Sequence, residues 1–130
     1  MKESEFITKL LRPWLKKHDW ASGYIEAKVS KGNTLPFSSF QPHQLPTLRK
    51  VSLSQDVYKI PDSATGIKPS DIIVLNKANG WVAILFEKDK RPNGSFYLID
   101  IKNVYHIKDR LGKRSLTKKD CEYYGVECSI

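Results

Sequence analysis

The hydrophobic period of this chain changes once, early and sharply, and that change limits it to folds that pack a helix on a sheet. Phe6, Ile7, Leu10, Leu11, Trp14 and Leu15 recur at three- and four-residue steps. Such spacing gathers apolar side chains on one stripe of a helix. It predicts a helix over residues 3–17, which Pro13 should kink or split because proline lacks the N–H that the helix interior needs. After Gly23 the period drops to two. Residues 24–29, Tyr-Ile-Glu-Ala-Lys-Val, alternate in the manner of a half-buried strand.

The rest of the chain continues both patterns. Residues 30–40 read as a loop. Pro42 is placed to open a second helix running to about Val51, with Pro46 still near its first turn. Residues 52–70 read as irregular, punctuated by Pro61, Gly66 and Pro69. Three strands are expected at 71–75, 81–86 and 96–101, separated by Asn79-Gly80 and Pro92-Asn93-Gly94. Asn-Gly is a strong hairpin signal. The apolar run 104–107 is expected to extend or follow the last strand. Thr117 is a ready cap for a short helix over 118–124, which Gly125 would end. The order implies an α+β (mixed α/β) fold, with helices flanking a central sheet.

The chain has 130 residues, which suits a single domain over 1–130. No apolar run approaches the roughly 20 residues that span a bilayer, and the N-terminus carries no apolar signal core. Cys121 and Cys128 are therefore expected to be free cytosolic thiols, and with no flanking His pair they do not make a zinc site. These features imply a cytoplasmic protein with no membrane partner. The charge is the positive clue: 22 Lys and Arg against 14 Asp and Glu give +8. Such a field attracts polyanions, nucleic acid first. Six of the twelve residues from Lys108 to Lys119 are basic and one is acidic. Lys108, Arg110, Lys113, Arg114, Lys118 and Lys119, with Lys31, Arg49 and Lys50, could line a duplex-binding surface.

Glu26 and Lys28 are two apart on the expected strand, so both point to one face, shared with Tyr24. Ile25, Ala27 and Val29 take the other. A carboxylate beside an ammonium suits metal-dependent phosphodiester hydrolysis: the acid holds Mg²⁺, and the Lys orients or activates water or stabilises phosphate charge. Glu3 stands at the end of the apolar stripe of the first helix, where a carboxylate can reach into a cleft, while Glu5 faces water. His43, beside Pro42, reads as a surface residue.

The stretch Glu26-Ala-Lys-Val-Ser-Lys-Gly-Asn-Thr-Leu-Pro-Phe-Ser-Ser-Phe-Gln-Pro-His-Gln44-Leu resembles the core of Holliday-junction resolvases of the RecU type, members of the PD-(D/E)xK nuclease superfamily. The shared features are the Glu-Ala-Lys strand, a polar loop with Thr34, Phe37-Ser38 and Phe40, and His43-Gln44 opening a helix. The resemblance covers about the first 50 residues well. It implies a restriction-endonuclease-like core with a central mixed sheet flanked by helices. It also implies a Mg²⁺-dependent endonuclease, with Mn²⁺ as a substitute, acting on DNA and on branched DNA in particular. By the same resemblance Glu26 is a metal ligand, Glu3 assists the metal, Lys28 acts at the attacking water, and Gln44 orients water or phosphate. Cutting two strands of a symmetric junction asks for two sites, hence a homodimer. The sequence departs from the superfamily at one point. The metal-binding Asp expected on a strand before Glu-x-Lys is missing, since Asp19 is too close to Glu26. Asp71, after Lys68-Pro69-Ser70 and leading into Ile72-Ile73-Val74-Leu75, resembles that Asp in permuted chain order, with Asp62 as second choice. A nuclease fold that has lost its chemistry and serves as a nucleic-acid- or partner-binding module is the alternative.

Overall fold

Strand β1 (Tyr24–Ser30) runs parallel to β5 (Gly80–Phe86), the signature of a crossover connection. In this computed structural model the structure describes residues 1–21, 23–53, 56–59, 72–75, 79–87 and 95–129, with only the backbone for Asp19, 56–59 and 72–75. Antiparallel to β5 lies β6 (Phe96–Asp100), and antiparallel to β6 lies β8 (Val126–Cys128). The four form one mixed sheet in the order β1-β5-β6-β8. The registers set Glu26 opposite Val82 and Lys28 opposite Ile84.

Helices cover both faces, so the protein is a mixed α/β fold with a mixed sheet flanked by helices. One face packs against helix α3 (Gln44–Leu53), helix α4 (Ile101–Tyr105) and helix α5 (Lys118–Tyr124). Its core joins Leu45 and Leu48 to Val82, Ile84, Tyr97, Ile99, Val104 and Ile107. The other face packs against the N-terminal helical run, where Phe6, Leu11 and Trp14 meet Ala27, Ala83, Leu85, Phe96 and Leu98. Phe6 and Trp14 both set ring edges against Phe96, at 5.2 and 5.8 Å between centroids.

The N-terminal run is helical from 3 to 17, with its kink resolved in a particular way. Helix α1 (Glu3–Phe6) passes into a π turn (Ile7–Leu11) and then helix α2 (Arg12–Lys17), with Pro13 in the first turn of the last segment. The wide turn resets the hydrogen-bond register, so the proline stands at a helix start where a missing N–H is tolerated. It also rotates the stripe. Leu11 comes down on the core beside Phe6 and Trp14, while Leu10 is only half-buried.

Several expectations are corrected. Residues 30–40 are not all loop: β2 (Thr34–Pro36) pairs with β7 (Ser115–Thr117), and a 3-10 turn (Phe37–Ser39) follows. Within 52–70, β3 (Asp56–Lys59) is a strand paired antiparallel with β4 (Ile72–Leu75). Asn79-Gly80 therefore does not turn β4 into β5. Its use is tertiary: a Cβ on Gly80 would stand 2.7 Å from the Leu48 carbonyl oxygen of α3, and the Tyr24 N–H donates to the Asn79 carbonyl at 2.9 Å. Residues 104–107 are helical, not a strand extension. The Asp100 side chain accepts from the Lys102 N–H and caps α4, and Ile101, Val104 and Ile107 then fall on one buried face. A second π turn (His106–Arg110) ends that helix. The Thr117 cap is present, with a reciprocal bond from its N–H to Asp120. Burial would raise the Asp120 pKa, but bonds from Lys113 and Thr117 outweigh it and hold the carboxyl below 3.8.

Candidate functional site

β1 places Tyr24, Glu26 and Lys28 on the α3 side of the sheet, while Ile25, Ala27 and Val29 pack toward the N-terminal helices. The period-two pattern therefore produces the expected split. β1 is at the end of the strand order, so the α3-side residues stand at the margin of the core, where a polar head can reach solvent.

Gln44 is the first residue of α3. Its Oε1 accepts the Gln41 N–H at 2.9 Å, which leaves its Nε2 to donate to Glu26 Oε1 at 2.8 Å. A backbone N–H can only donate, so this chain of bonds settles which way the amide faces. The Glu26 carboxylate is held by one oxygen. Lys28 is 6% exposed, and its Nζ donates to the Ser39 carbonyl at 3.2 Å. Glu3 Oε1 lies 3.8 Å from the same Nζ, and the Phe40 ring centroid lies 5.3 Å away. Glu3, Glu26, Lys28 and Gln44 thus come from α1, β1 and α3 to one place. Glu5 does not join them; it is half-exposed and pairs with Lys9 at 3.7 Å.

The electrostatics of this cluster show in Glu26. Burial pushes its carboxyl above the ordinary 4.5; Lys28 pulls it back, Glu3 pushes it further up, and His43 pulls it down. Two carboxylates share one ammonium, so a further cation near them is favoured. A shallow groove of about 170 Å³ opens over Glu26, bordered by Tyr24, His43, Gln44 and Thr47. Sequence reading passed over His43 and Thr47 as site residues. Their signal was position: one precedes Gln44, and the other lies one helical turn beyond it. Ser39, which holds Lys28 through its carbonyl, carried no side-chain signal at all.

Asp71 and Asp62 lie outside the described residues, and of Asp19 only the backbone is placed, in the turn Asp19–Ala21. Among the described residues no three His, Cys, Asp or Glu side chains are grouped closely enough to hold a metal. The donors present fit Mg²⁺ in kind, since carboxylate oxygens suit a hard cation. In number Glu26 and Glu3 supply two, within the one or two carboxylates that Mg²⁺ usually takes from a protein beside water and phosphate oxygens.

The basic residues divide. Lys31, Arg49, Lys50, Lys108, Arg110, Arg114 and Lys119 are exposed. Arg49 and Lys108 both stand over the Tyr105 ring, at 4.5 and 5.9 Å. Lys113 donates to Asp120 at 2.7 Å, and Lys118 lies 3.8 Å from Glu122, so both also serve the fold. Both cysteines are free and buried. Among the described residues no helix is long and apolar enough to cross a membrane. No protein-family model, curated protein or solved structure matches this chain.

Proposed function

We propose that the protein is a Mg²⁺-dependent endonuclease of the PD-(D/E)xK type, acting on branched DNA in the manner of the RecU-type resolvases that its sequence resembles. The observation that carries the reading is the convergence of Glu3, Glu26, Lys28 and Gln44 from three elements, tied by direct contacts. The fold reading behind it is a restriction-endonuclease-like core, supported by a parallel pair β1 and β5 with helix α3 between them in the chain and by helices on both faces of a mixed sheet.

Glu26 and Glu3 would hold the metal, with Asp71 as the third carboxylate. Bound there, Mg²⁺ would supply a Lewis acid for the scissile phosphate and a lowered pKa for water. Gln44 holds Glu26 through Oε1, and Glu26 borders the groove. Lys28, pinned by the Ser39 carbonyl, would supply positive charge for the phosphate. Exposed cations on α3 and on the second π turn would steer the DNA by its phosphates. A homodimer would bring two such sites to a symmetric junction.

The test is cleavage. Purified protein with Mg²⁺ or Mn²⁺ should nick a four-way junction, a flap, a duplex or a single strand, with the junction cut fastest, and Glu26→Ala should stop it. A second reading keeps the DNA-binding surface without the chemistry; the missing Asp on a strand before Glu26 favours it. Binding with no cleavage on any of those substrates would decide for it.

A further inference from the structure

Beyond the Glu26 groove, the other flank of α3 carries a second feature. Tyr105, at the end of α4, stands between two depressions. One, of about 210 Å³, is bordered by Phe37, Pro42, Pro46, Tyr105 and Lys108. The other, of about 180 Å³, is bordered by Arg49, Ser52, Leu53, Lys102 and Tyr105. The Arg49 guanidinium lies over the Tyr105 ring at 4.5 Å. Arg49, Lys102 and Lys108 are all exposed, and among the described residues no carboxylate borders either depression. Asp109 meets Lys108 at 3.6 Å with both side chains largely in water, where such a pair is weak.

We infer that this groove seats an unpaired nucleotide of a DNA strand, its base stacked on the Tyr105–Arg49 pair and its phosphates on Lys102 and Lys108. Three arguments lead there. Flat ring faces beside fixed cations are the combination that captures single-stranded nucleic acid, because every base has a π-face and every linkage a negative charge. A duplex keeps its bases stacked and offers phosphates only, so it has no use for the ring. An acidic peptide would use the cations and leave the ring unmatched in the same way.

The groove is also joined to the Glu26 site. Phe40 borders the larger depression, and its ring lies 5.3 Å from Lys28 Nζ. Gln41 borders it too, and its N–H holds the Gln44 amide that holds Glu26. Residues 37–44 are thus a common wall. A strand whose phosphate lies at Glu26 and Lys28 would continue over that wall into the groove if a nucleotide next to it is unstacked. Branch points supply such nucleotides and uninterrupted duplex does not. The assignment of DNA as the ligand rests on the proposed function above; the groove adds which feature of the DNA is read.

The experiment is run in EDTA, so that it is independent of cleavage. The probes are a labelled oligothymidylate containing 5-bromouracil, a blunt duplex of the same length and polyglutamate. The protein should bind the oligothymidylate more tightly than the duplex, with polyglutamate failing to compete. Ultraviolet crosslinks mapped by mass spectrometry should fall on Tyr105 or Phe37. Tyr105→Leu, checked for folding by thermal melting, should weaken oligothymidylate binding about 10-fold and leave duplex binding unchanged. Lys102→Gln with Lys108→Gln, both on exposed side chains, should flatten the salt dependence of oligothymidylate binding by about 0.7 log units per lost phosphate contact. Crosslinks confined to other residues, a folded Tyr105→Leu protein that binds as the parent does, or competition by polyglutamate would overturn the inference. If Tyr105→Leu does not fold, the crosslink map decides. Cleavage without crosslinks at Tyr105 or Phe37 removes the groove and leaves the nuclease reading; the reverse removes only the chemistry.

Discussion

Replacing Lys28 by Met should remove the chemistry without unfolding the protein. Lys28 is 6% exposed, and its ammonium meets the Ser39 carbonyl at 3.2 Å, Glu3 at 3.8 Å and the Phe40 ring at 5.3 Å. A hydrogen bond from a charged group contributes about 1.5–3 kcal/mol, and an ammonium near an aromatic face about 0.5–2. The pair with half-exposed Glu3 adds no more than about 1 kcal/mol after solvent screening. These gains, about 2–6 kcal/mol together, oppose a desolvation cost of several kcal/mol for a buried ion. The two nearly cancel. Met keeps an unbranched stem of similar length and removes both sides of the balance. Ser39 is exposed, so water replaces the ammonium at its carbonyl. Lys28→Met should therefore stay within about 1.5 kcal/mol of the parent, or exceed it. Lys28→Ala deletes the stem as well and should fall about 2–4 kcal/mol below the Met variant. Urea titrations of the three proteins read these differences. Both variants should cut DNA at least about 100-fold more slowly, with binding little changed, since one of many cations is lost. A Lys28→Met protein destabilised by more than about 3 kcal/mol would falsify the argument, because the charge would then be held for the fold.

Other consequences follow from the same contacts. Burial and Glu3 raise the Glu26 carboxyl above 4.5, so its ionisation opposes folding; the penalty is absent below that pH and grows as pH rises through the folded value. Glu26→Gln should hence be more stable than the parent at pH 7, with the difference closing near pH 4; equal urea midpoints at pH 7 would refute this. Gly80→Ala puts a Cβ 2.7 Å from the Leu48 carbonyl, and should lower stability by about 1–3 kcal/mol and displace α3, with a matching loss of site activity. The Cys121 and Cys128 thiols, pushed up to about 12 mainly by burial, should resist alkylation at pH 8 in the folded protein and react at once in guanidinium chloride. Rapid labelling of the native protein would contradict their burial.

Local patterning was enough for several elements and one half of the site. Period-two alternation from Tyr24 to Val29 needs only a sheet with one apolar face to put Glu26 and Lys28 on the same side, and that face exists. The helix over 3–17, the helix beginning near Gln44 and the Thr117 cap are likewise local, set by spacing, proline and a short side-chain bond. Strand pairing was set by long-range packing. Paired residues of the parallel strands β1 and β5 are 56 apart in the chain, and β2 meets β7 across most of it. Nothing local in Thr34–Pro36 marks a strand, because a three-residue strand is held by its partner and not by its own pattern. For the same reason Asn79-Gly80 carried a hairpin signal that the fold uses instead for close approach to α3. Run 104–107 shows the opposite limit: four apolar-rich residues fit either period, and the Asp100 cap with burial on α4 made them helical. The choice of Glu3 over Glu5, the Ser39 carbonyl under Lys28 and the Tyr105 groove depend on where separate elements meet in space. A linear pattern cannot encode such meetings, since each is settled by packing among residues distant in the chain.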